Sequence, residues 1–294
     1  MDFTSTGLIA QIKRRALIPT SQNLFSDSDL IAMLNEELQN RVIPYILAVR
    51  EDYFLTYDEY SQNGSTTEID IPKNAIGNKI NQVNIYTASS DDSFFASVPR
   101  LTVSQINDYF GGYYIQGSKI KIFPQPITSG LLRIYYYRRP SEIVATSRTA
   151  IISTVNTNTS IVCSTNLPAN IVTGSSIDIV SNDQPWDTVT ERTAGTVSSA
   201  TINLTSTTDI ETGFYVASRG ESSFAQIPQD TIPLLIQAVV VRMMEYMGDT
   251  NGLQASLLTY AQMESDNRNL ITPRVDAQPK KISANRRLSR YLWK

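Results

Sequence analysis

Three pairs of neighbouring carboxylates, Glu36 and Glu37, Asp58 and Glu59, Asp91 and Asp92, are the groups in this sequence best equipped for hydrolytic chemistry. A two-carboxylate glycosidase needs an acid and a base or nucleophile facing each other across the scissile bond. Adjacency weighs against that use, because acidic neighbours are ordinarily solvated. The chain has no histidine, which removes the usual general base, the Ser-His and Cys-His nucleophile pairs and the commonest zinc ligand. Cys163 is the sole cysteine, so neither an intrachain disulfide nor a Cys-rich zinc site can form from one chain. Neither common spacing of a phosphate-binding glycine loop occurs, and Gly111-Gly112 reads as a turn between strands. The expectation is a protein without catalytic, cofactor or metal residues.

Two features point to contacts instead. Tyr53, Tyr57, Tyr60, Tyr86, Tyr109, Tyr113, Tyr114 and Tyr135 to Tyr137 crowd the N-terminal half. They suit stacking on sugar or nucleic acid, but core and subunit contacts use tyrosine in the same way. The second feature is the segment 277–294. It carries Lys280, Lys281, Arg286, Arg287, Arg290 and Lys294 with no acidic residue, together with Leu288, Tyr291, Leu292 and Trp293. Removing its six charges from a net charge of −3 leaves −9 for the rest. An acidic body with a basic, aromatic arm reads as a contact segment for a partner.

Several elements must position these groups. Ser26 with Asp29 forms a capping box that opens a helix whose stripe runs through Leu30, Leu34, Leu38, Val42, Tyr45 and Val49, with Ile31 and Ile46 alongside; Pro44 should kink or end it. Alternation in 69–71, 83–85 and 119–123, and the tyrosine-rich run 132–137, predicts antiparallel strands. Gly64, Pro72, Gly77, Gly111, Gly112, Pro124 and Pro126 are expected turns, and 102–110 could hold one short helix. Beyond Arg138-Arg139-Pro140 the composition turns to Thr, Ser and Asn, predicting a separate β module. Within it Ser160-Ile161-Val162, Thr173-Gly174 and Ile177-Asp178-Ile179 are echoed by Thr201-Ile202-Asn203, Thr212-Gly213 and Phe214-Tyr215-Val216. After Pro228, capped by Asp230 or Thr231 and with Pro233 in its first turn, a helix runs from Leu234 to Met247. Gly248 stops it, and Asp249 and Thr250 restart a second helix as far as Thr272-Pro273. The apolar run from Ile232 to Val241 is far shorter than the roughly 20 residues of a bilayer span, and Lys13-Arg14-Arg15 precedes too short an apolar stretch for a secretory leader.

Three motifs in this order carry a resemblance. The first is Ile71-Pro72-x-x-Ala75-Ile76-Gly77-x-x-Ile80-x-x-Val83. The second is Ile120-x-Ile122-x-Pro124-x-Pro126, leading to Leu132-x-Ile134-x-Tyr136-x-x-Arg139-Pro140. The third runs from Gly220-Glu221-Ser222 through Gln226-Ile227-Pro228, Gly248-Asp249 and Gly252-Leu253 to Leu270-x-Thr272-Pro273-Arg274-Val275 and Pro279-Lys280-Lys281. Together they cover most of the chain and resemble tailed-bacteriophage head-to-tail adaptor (connector) proteins. The resemblance implies a ring, twelvefold in similar connectors, docked beneath the portal of the capsid. Its C-terminal arm would hold the portal, a tail or nozzle protein would dock below, and genomic DNA would pass through the channel without sequence-specific binding.

The expected fold is α+β. A helical core, made of the N-terminal helix and the C-terminal hairpin, joins an antiparallel β region and an inserted small barrel or sandwich. Residues 1–142 form the N-terminal helix and β region, 143–219 the inserted module, 220–276 the helical hairpin and 277–294 the basic arm. The expected role is that of a structural virion protein of the head-tail neck, assembled in the host cytoplasm and without a membrane partner. Its portal-binding arm comprises Lys280, Lys281, Arg286, Arg287, Leu288, Arg290, Tyr291, Leu292, Trp293 and Lys294. A carbohydrate-binding tail or fibre component is the alternative, and a carboxylate-dependent glycan hydrolase a third reading.

Overall fold

The computed structural model describes residues 2–17, 24–63, 68–88, 93–102, 104–105, 111–123, 129–156, 159–181 and 188–272. The architecture is mixed α+β, with helices at both ends of the chain enclosing antiparallel sheets.

Helix α1, Ser5–Arg15, is capped by the Thr4 hydroxyl, which accepts from the Gly7 amide. Leu8, Ile9 and Ile12 give it one buried face. Its start is tied to the far end of the chain, where the Ser5 amide donates to the Ser223 carbonyl at 2.7 Å. Helix α2, Asp27–Glu37, carries the expected capping box: Ser26 accepts from the Asp29 amide and Asp29 accepts from the Ser26 amide.

Pro44 does not end this helix. A π-helical turn, Leu38–Val42, joins α2 to α3, Ile43–Val49, and the Ile43 amide reaches back to the Leu38 carbonyl. Two causes converge here. A proline ring collides with the carbonyl four residues earlier, which the wider turn moves aside. Apolar residues spaced by four, Leu30, Leu34, Leu38 and Val42, also run ahead of a 3.6-residue turn, and the π-turn takes up the drift. The buried stripe therefore continues through Ile43 and Ile46, while the expected Tyr45 and Val49 are only partly buried.

Strands β1 (Leu55–Asn63), β7 (Ser129–Arg138), β3 (Ala75–Ala88) and β4 (Ser93–Val98) form one sheet in that spatial order. Leu55 is opposite Tyr137 and Val83 opposite Ile134. A second sheet, β2 (Glu68–Asp70), β6 (Lys119–Phe123) and β5 (Gly112–Gln116), packs on it. The core between them is built from Ile69, Val83, Tyr113, Ile120, Leu132, Ile134 and Tyr136. Gly77 is not a turn: it lies inside β3 at φ 55°, where the register with β7 shifts between Ala75 and Ile80, so the glycine serves a bulge. Gly112 opens β5, where the Pro99 carbonyl lies 2.4 Å from where a Cβ would sit. Of the expected helix at 102–110, Ser104 and Gln105 are helical and most of the remainder lies outside the described residues.

The module holds β9 (Ala150–Asn156), β10 (Ser160–Cys163), β11 (Ser176–Val180), β12 (Thr188–Thr193), β13 (Val197–Ser198), β14 (Thr201–Asn203) and β15 (Tyr215–Ser218). Its sheet order is β12-β11-β15-β9-β10-β14-β13. The echoed segments pair with each other: Ile161 faces Ile202 and Ile179 faces Val216. Their glycines match as well. The Gly174 amide bonds the Ala194 carbonyl and the Ala194 amide the Ser175 carbonyl; the Gly213 amide bonds the Ile152 carbonyl and the Ile152 amide the Phe214 carbonyl, all at 2.8 to 2.9 Å. Both glycines hold positive φ, 85° and 92°. The module is thus two similar halves about a pseudo-twofold axis. No ladder joins β12 to β13, so the expected barrel is not closed, and the sheet curls around Ile152, Ile161, Ile177, Ile179, Ile202 and Val216.

The chain enters and leaves the module side by side, as β8 (Glu142–Ile143) and β16 (Glu221–Ser222) pair in parallel. Helices α4 (Ile232–Met247) and α5 (Thr250–Ile271) follow as expected, except that Thr231, at the cap position of α4, makes no side-chain cap bond and donates its hydroxyl to the Pro228 carbonyl instead. Gly248 sits in the left-handed region at φ 69°, and the Asp249 carboxylate caps α5 by accepting from the Gly252 amide. Helix α4 is buried nearly all round, against α1, α2 and α5.

Candidate functional site

Among the described residues, the side chains best placed to carry function are those the fold leaves on its helical surface. Helix α5 has 22 residues, of which only Asn267 and Ile271 are buried. Leu258 is 75% exposed, Leu270 69% and Leu257 44%. What holds α5 in place is largely polar. Tyr45 donates to the Glu264 carbonyl at 3.0 Å, the Asn267 amide group donates to the Asp230 carbonyl at 2.6 Å, and Gln237 reaches the Ser256 carbonyl at 3.3 Å. Arg41 stacks over the Tyr260 ring at 5.8 Å and pairs with Glu37 at 3.0 Å. Burial raises the Glu37 carboxyl above its ordinary range against the pull of Arg41 and Arg242, and burial pushes Tyr260 up to about 12.

On the other side of α4, the C-terminal end of that helix and the N-terminal part of α2 enclose an open groove of about 760 Å³. Its floor and walls are Leu24, Phe25, Ala32, Met33, Tyr246 and Met247, and Asp29 and Glu36 stand on its rim. Arg242 bridges Glu36 at 3.1 Å and Glu245 at 2.9 Å and lies 4.9 Å from the Tyr246 ring centre, which fixes that wall. Leu24 and Tyr246 are 62% and 59% exposed.

A third feature is a polar cleft of about 250 Å³ where the π-turn, the first sheet and the module meet. Three arginines, Arg138, Arg139 and Arg219, and three carboxylates, Glu142, Asp178 and Glu191, line it. Asp178 is buried, its two oxygens accepting from the Gly220 amide at 2.9 Å and the Glu191 amide at 3.4 Å. Glu191 takes φ 58°, rare for a side chain of its kind, and pairs with Arg219. Burial lowers the pKa of Arg138, with Asp178 the leading charge opposing it. Positive and negative groups balance, so the cleft is a clamp between module and sheet and lacks the excess charge of an anion site. Sequence reasoning missed it because its members are far apart along the chain; Asp178 between two isoleucines of a strand was the one available signal.

The carboxylate pairs do not converge. Glu36 is exposed and bound to Arg242, whereas Glu37 is buried against Arg41. Asp58 accepts from the Tyr136 hydroxyl at 3.2 Å, its carboxyl raised by burial, and Glu59 pairs with Arg133 at 2.6 Å. Asp91 and Asp92 lie outside the described residues. Among the tyrosines, Tyr113, Tyr136 and Tyr137 are core, while Tyr57 is half exposed with the Arg133 guanidinium 4.3 Å from its ring centre. Cys163 is buried, which pushes its thiol up to about 11. Among the described residues no group of three or more His, Cys, Asp or Glu is placed to hold a metal ion, and no helix is long and apolar enough to cross a membrane. The arm residues from Lys280 to Lys294 lie outside the described residues. No protein-family description matches the chain, and no curated protein matches it either.

Proposed function

We propose that this chain is a structural ring subunit, an adaptor that docks on a phage portal, continues the DNA channel and offers a platform to the tail. The observation that carries the reading is α5: a long helix bearing Leu257, Leu258 and Leu270 outward, with only two of its residues buried by its own chain. Exposed apolar surface of this kind is the usual mark of a protein contact. Copies joined head to tail, the α5 ridge of each seated on a different surface of the next, close into a ring where the rotation between them divides a full turn. The resemblance to connectors supplies the portal, the expected twelvefold symmetry and the portal-binding role of the arm from Lys280 to Lys294. The protein then works by geometry.

Electron microscopy of the chain mixed with isolated portals tests this. The expected result is a second ring of fixed symmetry stacked on each portal, absent for Leu257→Asp/Leu258→Asp although its circular dichroism is unchanged. Portals that stay bare with the full chain would sink the reading. One observation favours a second reading, a glycan-binding tail component: Tyr57 is exposed and backed by Arg133, a ready stacking platform for a sugar ring. Glycan binding lost in Tyr57→Ala, with portals left bare, would establish it instead.

A further inference from the structure

The groove between α2 and the end of α4 is unused by the ring reading, and its chemistry matches one segment of this sequence. It is apolar inside, through Phe25, Met33 and Met247, and acidic at its rim, through Asp29 and Glu36. We propose that this groove is the docking site of the chain's own C-terminal arm, holding Leu288, Tyr291 and Leu292 against its floor and Arg286, Arg287 and Arg290 against its rim.

Three arguments meet. The apolar residues of the arm fall at i, i+3 and i+4, the spacing that segments laid into a helical groove present. The charges are complementary: the arm has no acidic residue, and Asp29 and Glu36 flank the groove with Glu245 beyond them, of which Arg242 meets only Glu36 and Glu245. The reach is sufficient. Helix α5 begins next to Met247 at the groove and ends at Ile271, ~33 Å away at 1.5 Å per residue. The residues from Thr272 to Arg287 extend to roughly 53 Å at ~3.3 Å each. A tether of that length holds the arm end at roughly millimolar effective concentration, so a modest contact within one chain outcompetes one between chains. The docking itself needs only groove and arm. That a portal would then have to draw the arm out of the groove rests on the adaptor reading.

The test uses the full-length chain with Trp186→Phe, Trp293→Phe and Leu292→Trp, which leaves one tryptophan, on the face of the arm that docks. In dilute solution its emission should be blue-shifted. Ala32→Arg and Met247→Lys, separately and together, should return it to that of an indole in water; both positions are exposed, so folding is not at stake. Leu258→Lys, on α5 away from the groove, should leave the blue shift in place. Emission of a water-exposed indole in the parent chain would overturn the proposal, as would a blue shift indifferent to the groove substitutions or one that grows with protein concentration and so marks a second copy. Since no portal is present, failure here leaves the ring reading standing, and bare portals in the microscope would leave this one standing.

Discussion

At the scale of single residues, the side chains that matter most are those standing in for missing backbone. Asn35 on α2 donates to the Ile143 carbonyl and accepts from the Ile143 amide, both at 2.8 Å, filling the place of a strand beside β8. Asn35→Leu leaves a partly buried amide and carbonyl unsatisfied and should cost about 1–3 kcal/mol in chemical denaturation; an unchanged midpoint would show that water replaces the amide at no cost. The buried carboxyls set a pH dependence. Glu37 and Asp58 are raised above their ordinary values of 4.5 and 3.8, chiefly by burial. A carboxyl raised in the folded state contributes stability that is complete below its unfolded pKa and is lost as pH rises through the folded one. Melting temperatures of Glu37→Gln should therefore gain on the parent as pH rises above the ordinary carboxyl value of 4.5. Glu68 works in the opposite sense, lowered to about 2 by hydrogen bonds from Lys121 and Lys119, so its contribution is present above 4.5 and lost as pH falls toward 2. A Glu37→Gln curve parallel to the parent throughout would contradict the assignment.

At the scale of elements, the π-turn decides which way α3 faces. Deleting Gln39 removes only the extra residue of the π-turn and leaves the facing of α3 as it is, whereas inserting an alanine after Gln39 turns everything beyond it by about 100°. Ile43 and Ile46 would then leave the core, at a cost of roughly 3–6 kcal/mol for two large aliphatic side chains, read as a lowered denaturation midpoint; Pro44→Ala, which removes only the ring, should change little. The same comparison shows what was legible. The capping box at Ser26, the stop at Gly248 and the restart at Asp249 are written in local residue types, and all three stand in the structure where they were expected. Helix α1 was missed, because its cap, Thr4, precedes a short stripe of Leu8, Ile9 and Ile12 with no acidic first turn to announce it. The π-turn, the bulge at Gly77 and the Asp178 clamp were hidden for a different reason: each answers a packing demand from a distant segment. As for the surface, the apolar residues of α5 could be read as a helical stripe, but not that its own chain leaves them uncovered.

At the scale of the whole molecule, three hydrophobic cores divide the work: the helices, the paired sheets before Arg138 and the curled module after Thr149. The module touches the rest through the charged clamp, the β8–β16 pair, the Tyr215 ring set edge-on to buried Phe224 at 4.7 Å, and the Thr146 hydroxyl against Ser5 and Thr6. Replacing 145–219 by a short glycine linker should leave a chain whose helical circular dichroism and cooperative melt survive, because Ile143 and Ser222 already lie side by side. Aggregation of that variant, with the parent chain sound, would show that the clamp belongs to the main core. The adjacency of β8 and β16 also bears on the order of folding. Contacts between segments far apart in sequence form slowly because the intervening loop must first be closed. The module closes that loop by folding on itself, after which the N-terminal helices and the α4–α5 hairpin meet as near neighbours along the chain. Its two similar halves would then act as a clasp that brings distant parts of the polypeptide together early, and substitutions in its core, such as at Ile161 or Ile202, should slow the folding of helices they never touch.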